Sequence, residues 1–149
     1  MLFRSWKDLR DTSLRVRNWD DDRRDADQLS EGVVGEVVFP NTVPPFYPGF
    51  VLFAGPPTAE QYAQRRAGIQ AHNRWLVDFC NRQPGRRAGI GQIFLNDIDD
   101  AIADSTWIKE QGLRGGVLLP NVPPDVKYVK PLYHPDYDRL WAHLQDLDI

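Results

Sequence analysis

The stretch Val-Val-Gly-Glu-Val-Val-Phe-Pro-Asn at residues 33–41 decides the fold class, because it joins a run of β-forming residues to a proline and an asparagine. A similar pattern returns as Val-Leu-Leu-Pro-Asn at residues 117–121. Proline has no amide hydrogen for a sheet and fixes φ, so both runs are predicted to be strands that end there. Asn41 and Asn121 are therefore expected in loops after strands, on the side of a parallel sheet where ligands usually bind.

Three predicted strands alternate with helical segments. They cover residues 33–39, 88–95 and 113–119, and the first is apolar enough to be covered on both faces. Gly89 and Gly91 in the second strand predict close approach of another side chain or backbone.

Capping residues and apolar periodicity predict four helices. The first has Ala26 and Leu29 turned inward, and the second begins with the capping-box pair Thr58 and Gln61. Asn96 or Asp97 caps the third. The helices are predicted at about residues 21–30, 58–83, 97–111 and 137–147.

This order predicts an α/β fold of parallel βα repeats. A closed (β/α)₈ barrel needs eight strands and ~250 residues, so about three strands predict a partial, TIM-barrel-like architecture. We expect one domain over residues 1–149, with a lead-in and helix at 1–30 and three βα units at 31–149.

Composition narrows the function classes. The 149 residues are 42% apolar, and 18 basic against 21 acidic residues give a net charge of −3 without a basic stripe, so no nucleic-acid partner is expected. No apolar run approaches the ~18 residues of a membrane span, which predicts a cytoplasmic protein without a membrane partner. Cys80 has no second cysteine to pair with and is expected to be buried and inert.

Four residues are candidates for contact with a small-molecule substrate. Phe46 lies in a loop with six prolines between residues 40 and 57, and loops of that length are usually functional or disordered. Asn41 and Asn121 have amides that can donate to and accept from a carboxylate or carbonyl, although such residues also cap their own turns. His134 lies in the loop after the third predicted strand.

Other polar residues are better explained by structure. His72 and His143 fall within predicted helices, where packing or surface roles are favoured over metal ligation. Four carboxylates, at Asp97, Asp99, Asp100 and Asp104, begin a helix whose dipole favours negative charge there. Gly115-Gly116 lacks the lysine and hydroxyl of a phosphate-binding loop. No catalytic residue and no metal ligand is assigned.

Four segments together resemble the middle of a known family. They are residues 31–42, 71–80, 84–90 and 112–120, and their order and spacing are similar to those of amidohydrolase-related proteins. This family contains metal-dependent TIM-barrel hydrolases and decarboxylases, including relatives of aminocarboxymuconate-semialdehyde decarboxylase. The resemblance implies metal-dependent hydrolysis or decarboxylation of a small carboxylate or carbonyl substrate.

The resemblance also implies a divalent metal such as zinc, held by a His-x-His or Glu-x-His pair, a further histidine and a late aspartate. None of these can be placed here, so the chain is expected to supply roughly the second to fourth βα units and to be incomplete for catalysis alone. Two alternatives stay open. One is a non-catalytic remnant that associates with itself or with a complementary fragment, and the other is a metal-free module that binds a small ligand.

Overall fold

Helices and strands alternate along the computed structural model, which describes residues 20–40 and 55–149. The mixed α/β class is therefore confirmed. The chain divides into two units, one ending at Glu36 and the other running from Val37 to Ile149. The elements are α1 (Asp21–Ser30), β1 (Glu36–Val38), α2 (Ala59–Asn81), β2 (Arg87–Gly89), β3 (Gly91–Gln92), α3 (Ile98–Glu110), β4 (Val117–Leu118), a 3-10 turn (Pro135–Tyr137) and α4 (Asp138–Asp146).

Helix α1 has the predicted boundaries but not the predicted inner face. Asp20 caps it by accepting a hydrogen bond from the backbone N–H of Arg23 at 3.0 Å. Leu29 is 62% exposed and Ala26 is exposed too, so the prediction that both turn inward was wrong. A ten-residue helix with only two apolar side chains has no stripe wide enough to bury.

An ion pair holds α1 to the end of its own unit. The guanidinium of Arg24 lies 2.5 Å from the carboxylate of Glu36, measured from Nη2 to Oε2. This hydrogen bond raises the pKa of Arg24 further above its ordinary value. An ion pair, and not apolar packing, therefore connects α1 to Glu36.

The predicted middle strand is divided between two neighbours. β1 pairs with β2, and β3 pairs with β4. The N–H of Ile90, between β2 and β3, donates to the carbonyl of Val38 at 3.0 Å, whereas the next N–H, of Gly91, donates to Gly116 at 3.0 Å. Neighbouring residues of an extended chain direct backbone groups to opposite edges, so one segment serves a strand on each side.

The parallel arrangement is confirmed for β3 and β4, which place Gly91 opposite Val117. The predicted strands were too long, however, because each regular strand has only two or three residues. The prediction that the first strand is covered on both faces was also wrong, since Val34 is 82% and Val37 57% exposed. β-Forming residues allow a segment to extend, but burial depends on what packs against it.

The side chain of Asn73 on α2 continues the hydrogen bonding of the sheet. Its Nδ2 donates to the carbonyl of Gln92 at 2.9 Å, and its Oδ1 accepts from the N–H of Gln92 at 2.9 Å. Asn73 is 1% exposed. Its amide presents one donor and one acceptor, as a peptide unit of a neighbouring strand would.

Glycines let the helices approach the strands closely, as predicted. A Cβ atom at Gly91 would lie 2.5 Å from Cδ1 of Ile108 on α3. A Cβ atom at Gly89 would lie 2.9 Å from Sγ of Cys80 and from Cγ of Leu76 on α2. Any larger residue would force these helices away from the sheet.

The hydrophobic core of the second unit lies where α2, α3 and α4 meet the strands. Cys80 is buried within it, which confirms the predicted burial of the thiol. No helix in the two described ranges has the length and apolar content to cross a membrane. The innermost core side chains are Leu76, Ile93, Ile108, Tyr137 and Leu140.

Candidate functional site

A small cavity is lined by residues that follow β3 and β4 in the chain. Its volume is about 250 Å³, near the lower end of ligand sites in proteins. One wall consists of the residues between β3 and α3 together with the first residues of α3. The other wall consists of the segment after β4, up to the start of α4. The lining residues are Leu95, Asn96, Asp97, Ile98, Asp99, Tyr128, Val129, Lys130, Asp136, Tyr137 and Arg139.

Buried hydrogen bonds fix the shape of this cavity. The hydroxyl of Tyr137 donates to the carbonyl of Lys130 at 3.1 Å and lies 3.4 Å from the carbonyl of Leu95. Burial raises the pKa of Tyr137, so its phenol stays a neutral donor at pH 7. Tyr137 therefore joins the two walls.

Two polar side chains connect the cavity to the segment before α2. The Nδ2 of Asn96 donates to the carbonyl of Pro57 at 2.8 Å, and the hydroxyl of Tyr128 donates to the carbonyl of Pro56 at 3.1 Å. The Oδ1 of Asn96 is buried and has no hydrogen-bond partner within the described ranges. The amide is thus held by one end only.

Charged pairs line the rim. Lys130 bridges to Asp136 and holds the pKa of that carboxyl below its usual range. Arg139 Nη2 lies 2.7 Å from Asp99 Oδ1. All four side chains are largely exposed, and exposed ion pairs are weak because solvent screens them, so a ligand can compete for either cation.

The acidic run at the start of α3 has structural partners. Asp97 caps the helix by accepting from the N–H of Asp100 at 3.0 Å. Asp100 also accepts a 2.7 Å hydrogen bond from the hydroxyl of Tyr62, and Asp104 pairs with Arg66 at 2.9 Å. These contacts support the interpretation of the run as a structural feature.

The predicted site residues do not all lie at this cavity. Asn41 and Phe46 lie outside the described residues. Asn121 is exposed in the loop after β4 and is not among the described residues that line the cavity. His134 is not among the described lining residues either, but it lies two positions before Asp136, which is one of them. The Nδ1 of His134 accepts a hydrogen bond from the N–H of Asp136 at 3.2 Å, at the start of the 3-10 turn.

The other two histidines have local partners. The Nδ1 of His72 lies 3.2 Å from Nε2 of Gln92, and burial lowers the pKa of His72. The Nε2 of His143 lies 2.8 Å from the hydroxyl of Thr106 on α3. Both contacts agree with the packing roles expected for these residues.

No family model, no curated protein and no solved structure matches the chain.

The implied metal can be tested against the donor groups that are present. Within residues 20–40 and 55–149, no three His, Cys, Asp or Glu side chains come together as metal ligands. The described residues therefore do not fit the divalent ion that the family resemblance implies.

Sequence reasoning missed the charged and aromatic residues of the cavity, above all Tyr128, Lys130 and Arg139. Lys130 and Tyr128 follow β4, so the rule that favours strand ends could have included them. Arg139 could not be found in that way, because it belongs to α4 and its partner Asp99 is forty positions earlier in the chain.

Proposed function

We propose that this chain is part of an amidohydrolase-related (β/α)-barrel protein and that its cavity binds a small carboxylate or carbonyl compound. The observation that carries the proposal is that the cavity is lined by the segments that follow two parallel strands, β3 and β4. Ligands of βα proteins bind at that edge in both open sheets and barrels.

The order of the strands supports the architectural part. The segment formed by β2 and β3 lies between β1 and β4, so neighbours in sequence are neighbours in the sheet, and a helix separates each from the next. Consecutive order with helical connections is what a (β/α)₈ barrel requires of any three adjacent strands.

The chemistry of the rim supports the substrate class. Lys130 and Arg139 offer two cations in weakly held, exposed pairs, and charge-assisted hydrogen bonds to a carboxylate are stronger than neutral ones. The Nδ2 of Asn96 has a second N–H besides the one that it donates to Pro57, and such a donor suits a carbonyl. The described residues support binding of such a ligand, and no residue is assigned a catalytic role.

The test is a titration followed by ¹H–¹⁵N NMR, with pyruvate and glycolate as probes and their neutral amides as controls. We expect saturable shifts at residues 95–99 and 128–139 with the acids. Arg139→Gln should weaken the binding by about tenfold, as loss of a charge-assisted hydrogen bond would. The matched control Lys127→Gln removes an exposed cation three residues before Lys130 and should change the affinity less than twofold.

If neither acid gives saturable shifts at the cavity, the proposed substrate class is overturned. Equal binding of the acids and their amides would do the same, because the cations would then have no role. A thermal melt of each variant shows that a lost signal comes from the site and not from unfolding.

A further inference from the structure

A second depression lies between the outer surfaces of α2 and α3. Its volume is about 330 Å³, and it shares no lining residue with the cavity at the strand ends in the described part of the chain. Helix α2 contributes Arg66, Gln70 and Arg74 to it, and α3 contributes Asp104 and Trp107. We name this depression the helix groove.

The polar groups at one end of the helix groove satisfy one another. Arg66 donates to Asp104 from Nε at 2.9 Å and from Nη2 at 3.0 Å, and its Nη1 lies 2.8 Å from Asp100. Gln70 Nε2 donates to the same Asp104 at 2.9 Å. Arg66 is thus shared between two carboxylates, and both are occupied by contacts with α2.

Arg74 is the lining cation that takes no part in this network. It lies four residues after Gln70, on the same face of α2, and it is exposed. Neither a hydrogen bond nor an ion pair joins it to any residue in the described ranges. Arg74 is therefore the cation of the helix groove whose side chain is left available to a ligand.

Trp107 supplies the apolar wall. Its ring is partly buried at the edge of the core, and Ala103 beside it in the groove adds no polar side chain. A groove lined by both an indole and a guanidinium suits a flat aromatic ring that bears one carboxylate, because the ring can pack on the indole while the acid meets the cation.

The walls are held before any ligand arrives. Asn73, next to Arg74, is fixed to the backbone of Gln92, and the Arg66–Asp104 pair connects the two helices. A preformed site loses less conformational entropy on binding than a flexible one.

We propose that the helix groove is a binding site for a small aromatic monocarboxylate, contacted by Trp107 and Arg74. The site is separate from the cavity of the proposed function, and the two can be tested independently.

The probe is 2-naphthoate, with 2-naphthalenemethanol as its uncharged counterpart. Titration by ¹H–¹⁵N NMR should shift the indole N–H of Trp107, which Trp107→Phe assigns, and the amides around Arg74. Arg74→Gln should weaken naphthoate binding by about tenfold. The matched control Arg82→Gln removes an exposed cation at the end of the same helix and should change the affinity less than twofold.

Arg139→Gln serves as a second control, because it alters the other cavity and should leave naphthoate binding at the groove intact. The inference is overturned if the alcohol binds as tightly as the acid, if Arg74→Gln binds like the wild type, or if the Trp107 indole does not respond. Thermal melts should be the same for Arg74→Gln and wild type, since Arg74 is exposed.

Discussion

The side chain of Asn73 makes the hydrogen bonds that a neighbouring strand's backbone would make. Its amide exchanges two hydrogen bonds with Gln92, and both groups are buried. The side chain lies on α2, whereas the peptide unit it pairs with belongs to β3. At the scale of a single residue, this amide therefore adds two directed contacts to the apolar packing of α2 against the sheet.

Replacing Asn73 by alanine should destabilise the protein by about 2–4 kcal/mol, because two buried backbone groups would lose their partners. Urea denaturation followed by circular dichroism measures this change. Asn81→Ala, at the exposed end of the same helix, is the matched control and should cost less than about 1 kcal/mol. Similar midpoints for the two variants would show that water replaces the Asn73 amide without loss.

His72 is expected to make stability depend on pH. Burial lowers its pKa below the ordinary value of 6.5, so the unfolded chain binds the proton more readily than the folded chain does. The stabilising contribution is therefore fully present above pH 6.5 and is lost as the pH falls towards the lower pKa of the folded state. An amide N–H from Gln92 can donate only to an unprotonated Nδ1, which acts in the same direction.

Urea midpoints measured between about pH 5 and pH 8 test this expectation. The wild type should lose more stability on acidification than His72→Gln, whose amide cannot titrate. Identical pH profiles for the two proteins would contradict it.

At the scale of secondary-structure elements, α2 and α3 are joined by a polar network. Tyr62, Arg66 and Gln70 lie on one face of α2 and meet Asp100 and Asp104 on α3. Burial and then the Asp100 hydrogen bond raise the pKa of Tyr62, so it remains a neutral donor. The acidic start of α3 thus has two roles, since it matches the helix dipole and holds a neighbouring helix.

Asp104→Asn should therefore destabilise the protein by about 1–3 kcal/mol, because the buried carboxylate accepts three hydrogen bonds from α2. Asp99→Asn makes the same change in an 80% exposed side chain and should cost under about 1 kcal/mol. Thermal unfolding of both variants at one pH gives the comparison. Equal losses would mean that the network contributes no more than a surface pair.

At the scale of the whole molecule, the segment from Ile90 to Ile93 is the centre of the second unit. Four consecutive N–H groups donate in turn to Val38, Gly116, Asn73 and Leu118. These partners come from three parts of the chain, namely β1, α2 and the segment of β4. The segment therefore cannot open without breaking contacts to both neighbouring strands and to α2.

Amide hydrogen exchange should be slowest at these four residues, since the groups that open last are those with partners in several elements. The N–H of Val126, which bonds within a local turn to Pro123, should exchange much faster. Asn73→Ala should accelerate exchange at Gln92 more than at Gly91. Uniform acceleration along the segment would instead indicate global destabilisation.

Local chemistry made several features predictable. The boundaries of α1, the capping box of Thr58 and Gln61 at the start of α2, and the Asp97 cap of α3 all follow from short-range hydrogen bonding. The close approach at Gly91 was also predictable, because a strand interior rarely tolerates glycine without a reason. The exposure of Leu29 and Val37 was not, since burial depends on neighbours that are remote in sequence.

The sequence by itself determined the alternation of helix and strand and the points at which several elements begin and end, because propensity, capping and proline act over a few residues. Only the tertiary structure decided how the middle segment is shared between two neighbours, which residue completes its hydrogen bonds, and which charges meet at the cavity. The physical reason is distance along the chain. Asn73 and Gln92, or Asp99 and Arg139, are joined by packing of whole elements, and no local pattern specifies such a contact.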